Sequence, residues 1–245
     1  MKRKIKSILN KLVRKNSPIF ECPLCGYSGP FSALDTASGS RKYAVCPNCN
    51  ALERHRLQKL AIDKLFRNLD PGRLDFLHIA PEDCHRKMLQ GIGNYVTADL
   101  NRSDVDYNFD LQGEAPFEDA TFDVVFASHV LEHVADDIRA IREIRRLIKP
   151  GGFAVLPVPI VSNLTIEYLE PNDSESGHVR APGYDYFDRY RDHFDHIEEI
   201  SSESFPEKYQ LFIYEDRTIY PTPESPLREP MPGERHNDIV PICYA

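Results

Sequence analysis

From residue 51 onward the hydrophobic positions alternate between two rhythms. Residues 51–69, ALERHRLQKLAIDKLFRNL, keep Leu52, Leu57, Leu60, Ala61, Leu65 and Leu69 near a 3.6-residue period before Asp70-Pro71-Gly72 ends the run, which predicts a helix. A short apolar run, LDFLHIA (74–80), then reads as a buried strand, EDCHRKMLQGI (82–92) as a helix, and YVTADL (95–100) and VDYNFDL (105–111) as further strands. FDVVFAS (122–128) is a strand, 129–149 a long helix, Lys149-Pro150-Gly151-Gly152 a break and FAVLPVPI (153–160) a buried strand. Strands alternating with helices predict an α/β fold with a parallel sheet. Beyond it, residues 162–196 are polar and hold a tyrosine-rich helical stretch, YDYFDRYRDHF. HIEEISSES and KYQLFIYED read as a closing antiparallel pair, and the Pro-rich 221–245 as an extended tail.

The chain's 245 residues allow one core of average size and a small module stapled by other means. No apolar run reaches the ~18 residues of a membrane span, and the Lys-rich start lacks the apolar stretch of a signal peptide, so a cytoplasmic protein is expected. The net charge of −8 conceals seven Lys and Arg, with no acid, in residues 1–16. There Ile5, Ile8, Leu9, Leu12 and Val13 recur at helical spacing, predicting a basic amphipathic helix suited to the anionic inner face of a membrane. RNA or a protein partner fits the same charge, whereas the acidic remainder disfavours broad nucleic-acid binding.

Cys22-Pro-Leu-Cys25 and Cys46-Pro-Asn-Cys49 stand twenty residues apart, the spacing of a zinc ribbon. Each pair can clamp one side of a tetrahedral ion, and four sulfurs close the sphere, so the predicted zinc is structural. The remaining two cysteines, Cys84 and Cys243, are far apart in sequence, which fits a reducing compartment.

The stretch from Phe117 to Pro159, FEDATFDVVFASHVLEHVADDIRAIREIRRLIKPGGFAVLPVP, resembles the central block of the class I S-adenosylmethionine-dependent methyltransferases. The resemblance implies a Rossmann-like, seven-stranded, mostly parallel sheet with its last strand antiparallel, and S-adenosylmethionine (SAM) across the carboxyl ends of the first strands. Asp99, ending the second strand, is placed to accept both ribose hydroxyls, with Leu100 beside it. Asp110 and Leu111 match the family's adenine contacts. The first strand's turn departs from the family: His78-Ile79-Ala80-Pro81-Glu82-Asp83 replaces the usual glycine-rich bend. Ala80 and Ile79 would then border the cofactor, and Glu82 would face its ammonium or sulfonium.

His129-Val-Leu-Glu132-His133 also has the H-x-x-E-H spacing of inverted zinc peptidases, although no further ligand flanks it. Read as helix, it leaves His129, Glu132, His133 and Asp136 on a polar face opposite Leu131, Val134, Ile138 and Ile141. The step is also similar to that of ubiquinone-type O-methyltransferases, where a Glu-His pair helps bind a divalent cation; here His129 stands where those enzymes have a further acid. His129 is the residue expected to touch methyl donor and acceptor, with His133 and His178 as further catalytic candidates. The domains predicted are a basic tail (1–16), zinc ribbon (17–50), connecting helix (51–70), methyltransferase domain (71–220) with an acceptor-binding segment at 162–196, and a Pro-rich tail (221–245). The resemblance favours methylation of a small polar acceptor, foremost a sugar hydroxyl of a surface glycan or secondary metabolite. RNA methylation through the ribbon and a non-catalytic binding module are the alternatives.

Overall fold

Leu77, Ile79, Val125, Ala127 and Ala154 are almost wholly shielded from solvent, the burial expected of strands covered on both faces. The computed structural model describes residues 17–36 and 39–245, so the basic segment 1–16 lies outside the described residues. The chain divides into two compact units: the chain up to Arg67 with Ser201–Ile219 and Met231–Asp238, and a second made of Asn68–Ile200, Tyr220–Pro230 and Ile239–Ala245.

The first unit begins with the hairpin β1 (Phe20–Glu21) and β2 (Ser28–Gly29), followed by β3 (Ser32–Thr36), β4 (Gly39–Val45) and helix α1 (Glu53–Leu65). The second unit continues with β5 (Asp75–Ile79), α2 (Asp83–Met88), β6 (Asn94–Asp99), β7 (Tyr107–Asn108), β8 (Phe122–Ala127), α3 (Asp137–Leu147) and β9 (Ile148–Val155). A hairpin of β10 (Ile166–Asn172) and β11 (His178–Ala181), a short α4 (Asp188–Arg191) and β12 (His196–Ser201) follow. The chain then gives β13 (Ile213–Tyr214) and β14 (Arg235–His236) to the first unit, and ends with β15 (Ile239–Tyr244) in the second.

The seven-stranded sheet runs β12-β15-β9-β8-β5-β6-β7. The pairs β5/β6, β5/β8, β6/β7 and β8/β9 are parallel and β15/β9 is antiparallel, the Rossmann-like arrangement expected from the sequence. Helix α3 buries Ala140, Ile141, Ile144 and Leu147 in the same core as Val125 and Ala154, and Asp136 caps it by accepting the Arg139 amide at 3.0 Å.

Several boundaries move. The closing antiparallel strand is β15, inside the segment expected to be tail; its neighbour β12 is the HIEEIS run. In KYQLFIYED, Ile213–Tyr214 instead pairs with β4 and β14 in the first unit. Proline content hid β15: its ladder with β9 starts at Ile242, just past Pro241, so the missing amide of that proline costs no rung. The expected methyltransferase boundary at 220 therefore gives way to a chain that leaves the second unit at 201 and returns twice. The expected helix 129–149 is a 3-10 turn at Leu131–His133 followed by α3, because the cap at Asp136 starts the helix late and the strand resumes at Ile148. The turn buries Glu132 completely, so the expected polar helix face does not exist there. No helix among the described residues is long and apolar enough to cross a membrane.

His78, the penultimate residue of β5, is fully buried; its Nδ1 lies 2.6 Å from the Tyr95 hydroxyl while its Nε2 has no hydrogen bond. Burial pushes its pKa down to about 3 from an ordinary 6.5, because the imidazolium would lose its hydration. The unfolded chain takes up this proton first, so the stabilisation is complete above pH 6.5 and is lost as pH falls toward 3. By pH 5 the loss from this group alone is about 2 kcal/mol. Urea unfolding at pH 7.5 and 5.0 should show His78→Gln losing about that much less than the wild type; equal losses would contradict the assignment.

Candidate functional site

The cavity that gathers most of the singled-out residues lies at the carboxyl ends of β5, β6 and β8 and encloses about 220 Å³. Parallel strands end there with their carbonyls and following turns, the usual position of ligands in such sheets. Ile79 and Ala80 supply one wall, Asp99 and Leu100 a second, Asp110 and Leu111 a third, and His129 and His133 the fourth. Glu82 is not part of this lining; it stands at the start of α2 with Oε1 4.0 Å from His85 Nδ1. His178 is also outside the lining, but its ring meets that of His133 edge-on at 4.7 Å.

Two bends shape the opening. Ala80, directly after β5, and His129, two residues past the end of β8, both sit in the left-handed region with φ of 49° and 55°. For residues with a Cβ this costs roughly 1–2 kcal/mol each, so the surrounding bonds must hold them. The Ala80 amide donates to Ala98 O at 2.8 Å and the His129 amide to Pro157 O at 2.9 Å. Arg102 Nη1 donates to Pro81 O at 2.6 Å, which ties the glycine-free turn to the loop after β6. An alanine thus takes up the conformation a glycine would supply and lines the cavity there.

Asp99 is half-buried. Its Oδ1 accepts the amides of Asn101 (2.8 Å) and Arg102 (3.0 Å), which fixes the carboxylate plane, while Oδ2 has no protein partner among the described residues. A vicinal diol fits this arrangement, one charged oxygen oriented and open. Asp110 is engaged differently: Oδ1 accepts the Gln112 amide at 2.9 Å, and both oxygens lie 3.3 Å from Gln112 Nε2. Gln112 Oε1 in turn accepts the Asp136 amide at 2.9 Å, joining this wall to the cap of α3. Neither Gln112 nor Phe109, a further apolar wall of the cavity, was singled out from the sequence, since a lone Gln and Phe carry no motif.

On the opposite side His129 Nδ1 stands 3.3 Å from Glu132 Oε1, and His129 Nε2 is buried without a hydrogen bond. Burial alone would raise the Glu132 pKa, but the adjacent His129 outweighs it and brings the carboxyl below its ordinary range. A carboxylate facing one imidazole nitrogen favours a proton there and leaves the other nitrogen as an acceptor, the disposition of a general base.

Arg180 holds this wall in place. Buried at the end of β11, it donates from Nη1 to Leu131 O and Val134 O (both 2.6 Å) and from Nη2 to Ala135 O (3.0 Å), with Nε 3.1 Å from Glu167 Oε2. Three carbonyls of one turn thus converge on one guanidinium, whose planar fork suits such multiple acceptance. In the sequence Arg180 is one of many charged residues in the polar stretch 162–196, and nothing local marks it.

In the first unit the four cysteines meet. Cys22 Sγ is 3.6 Å from Cys49 Sγ, Cys25 Sγ is 3.7 Å from Cys46 Sγ, and all four sulfurs lie within 4.8 Å of one another with no disulfide. Sulfurs at ~2.3 Å from a tetrahedral zinc stand about 3.8 Å apart, so the cluster has the size of that ion. Each knuckle closes alike: the amides of Gly26 and Asn50 donate to Cys22 O and Cys46 O, both at 2.9 Å, with φ of 68° and 64°. Gly and Asn are the residues that tolerate this bend. Arg56, fully buried, binds Ala44 O and Ala51 O at 2.9 Å and Gln210 O at 2.6 Å, which fastens the second knuckle to the returning segment 201–219.

Residues 82–156 match the family described as a methyltransferase domain. An uncharacterized 37.1 kDa transposon protein of Streptomyces fradiae is 41% identical over 66 residues, 26% of this chain and 19% of that protein. The demethylmenaquinone methyltransferase of Alkalihalophilus pseudofirmus is 30% identical over 104 residues, 40% of this chain and 41% of the enzyme. The chain spans less than half the length of these curated relatives. Among solved structures, the 4+2 cyclase SpnF aligns with a TM-score of 0.53 at 13% identity, covering 98% of this chain and 96% of that one, a likeness of fold.

Proposed function

We infer that this chain, whose residues 82–156 match a methyltransferase domain, transfers a methyl group from SAM to a hydroxyl of a small polar acceptor, foremost a sugar. The observation that carries this reading is the pairing across one cavity of Asp99, with one open carboxylate oxygen, and His129, with a buried unpartnered Nε2. SAM would supply a methyl group on a sulfonium, whose carbon–sulfur bond breaks with its electron pair returning to sulfur as the acceptor oxygen bonds to carbon. Asp99 would hold the ribose diol, while Phe109 and Leu111 would cover the adenine with Asp110 at its edge. His129 Nε2 would accept the hydroxyl proton, and Glu132 would steady the resulting imidazolium. The acidic body, with a net charge of −8 over the whole chain, supports a small acceptor over RNA. The four thiolates would hold one structural zinc.

Calorimetric titration with SAM and S-adenosylhomocysteine tests the cofactor half. Two hydrogen bonds to a charged carboxylate contribute about 3 kcal/mol together, so Asp99→Ala should weaken binding ~100-fold. An unchanged affinity would remove Asp99 from the site. Transfer of labelled methyl to a panel of free sugars, nucleotide sugars and RNA tests the acceptor half, with His129→Gln expected to bind SAM normally but turn over slowly. Label appearing only in RNA would replace the acceptor assignment.

A further inference from the structure

We propose that Glu132, His133 and His178 form a divalent transition-metal site at the His129 wall of the cavity. The three side chains offer a carboxylate oxygen and two imidazole nitrogens that all lie within 4.8 Å of one another. Glu132 is wholly buried, and neither of its oxygens makes a hydrogen bond; its one close polar neighbour, His129 Nδ1 at 3.3 Å, serves Oε1 alone. His129 offsets part of the cost of that burial through Oε1, but Oε2 stays without a partner, and a coordinated cation would supply one. His178 Nδ1 is likewise buried without a hydrogen bond, with its nearest other carboxylate oxygen, on Glu175, 4.0 Å away.

The ligands come from two separate elements. Glu132 and His133 lie in the 3-10 turn, and His178 begins β11. Arg180, two residues beyond His178 on the same strand, clamps the carbonyls of Leu131, Val134 and Ala135, so one guanidinium fixes the ligands of the turn against the ligand of the strand. The third ligand is therefore supplied by the β10–β11 hairpin, while His129 stays outside the set as the neighbour of Glu132.

Two imidazoles and one carboxylate, with no thiolate, suit manganese, iron, cobalt or zinc in the divalent state. Three protein ligands leave coordination positions open, as in catalytic sites and unlike the closed four-sulfur cluster. His133 is exposed and lines the cavity, so an open position is accessible from the space assigned to the acceptor. The role that follows, which rests on the reading above, is to bind the acceptor hydroxyl and lower its pKa. The proton would pass to His129 Nε2 and the oxygen would then take the methyl group from sulfur.

Cobalt(II) reports this site without SAM. Full-length protein with its cysteine cluster filled by zinc should take up one further cobalt per chain by equilibrium dialysis, with weak d–d absorption and none of the strong charge-transfer bands of thiolate ligation. Glu132→Gln should weaken this uptake by more than about tenfold. His178→Gln, at a less buried position that spares the fold if the first variant does not, should do the same, while His196→Gln should leave it unchanged. Wild-type protein that takes up no cobalt beyond the cysteine cluster would overturn the proposal, as would uptake that persists undiminished in folded His178→Gln. Cobalt binding in a protein that fails to bind SAM would keep the metal site and discard only the cofactor reading.

Discussion

Cys46→Ser is expected to lose bound zinc and the fold of the first unit together, leaving the seven-stranded sheet intact. The small core there is built on the sulfurs themselves: Cys22 and Cys46 are buried with Tyr27, Phe31 and Ala51, and Phe20, Leu24 and Tyr43 pack against them. So few apolar residues cannot offset the conformational entropy of ordering the two knuckles. Small zinc modules draw on the order of 10–16 kcal/mol from metal binding, and a serine hydroxyl in place of one thiolate forfeits much of it. Metal analysis should find close to one zinc per chain in the wild type and far less in the variant. Amide exchange should show fast exchange at Gly26 and Asn50 with protection retained in β5 and β8. A metal-free variant with both knuckles still protected would refute a structural zinc. Because coordination requires thiolates, zinc should also leave as the pH is lowered.

The second large effect is expected at Arg180. Arg180→Met fills similar volume but strands the carbonyls of Leu131, Val134 and Ala135 and leaves Glu167 and Asp137 with one cation fewer. Arg189, which pairs with both of these acids, cannot compensate the backbone groups. Removing one partner from a buried, hydrogen-bonded charge network typically costs 3–5 kcal/mol, so a loss of about that size is expected in urea unfolding. Arg180→Lys should recover only part of it, since an ammonium lacks the planar fork that reaches three carbonyls at once. A Met variant within about 1 kcal/mol of the wild type would show that the turn holds itself.

The site that the second unit assembles was legible wherever a residue type combines with a strand end. Asp99 closes an apolar run, Ala80 occupies the bend after another, and His129 follows a third; three strand ends in one parallel sheet must meet at one edge. Asp110 and Leu111 were reached through the resemblance and lie in the same cavity. Glu82 lies outside the cavity lining, since a turn residue one or two positions past the bend can point to either side and sequence spacing does not choose between them. The 3-10 turn looks helical in the sequence because its apolar spacing continues into α3, and only the cap at Asp136 marks the true start. Glu132 falls on an expected polar face for the same reason: a carboxylate in a helical pattern is ordinarily solvated, and nothing local announces a buried one.

By itself, the order of apolar runs determined a parallel sheet covered by helices, and the two Cys-x-x-Cys steps determined a four-sulfur cluster. Both are dictated by local periodicity and by the reach of a short loop. Only the tertiary structure decided that the chain returns twice between its units, that β15 closes the sheet, and that Arg180 and His178 meet the turn at Glu132. Those choices depend on contacts between residues some 45 to 50 positions apart or more, such as Arg180 with Leu131. No pattern along the chain encodes them, because a buried guanidinium or imidazole is satisfied by whichever carbonyls and carboxylates the packed elements bring to it.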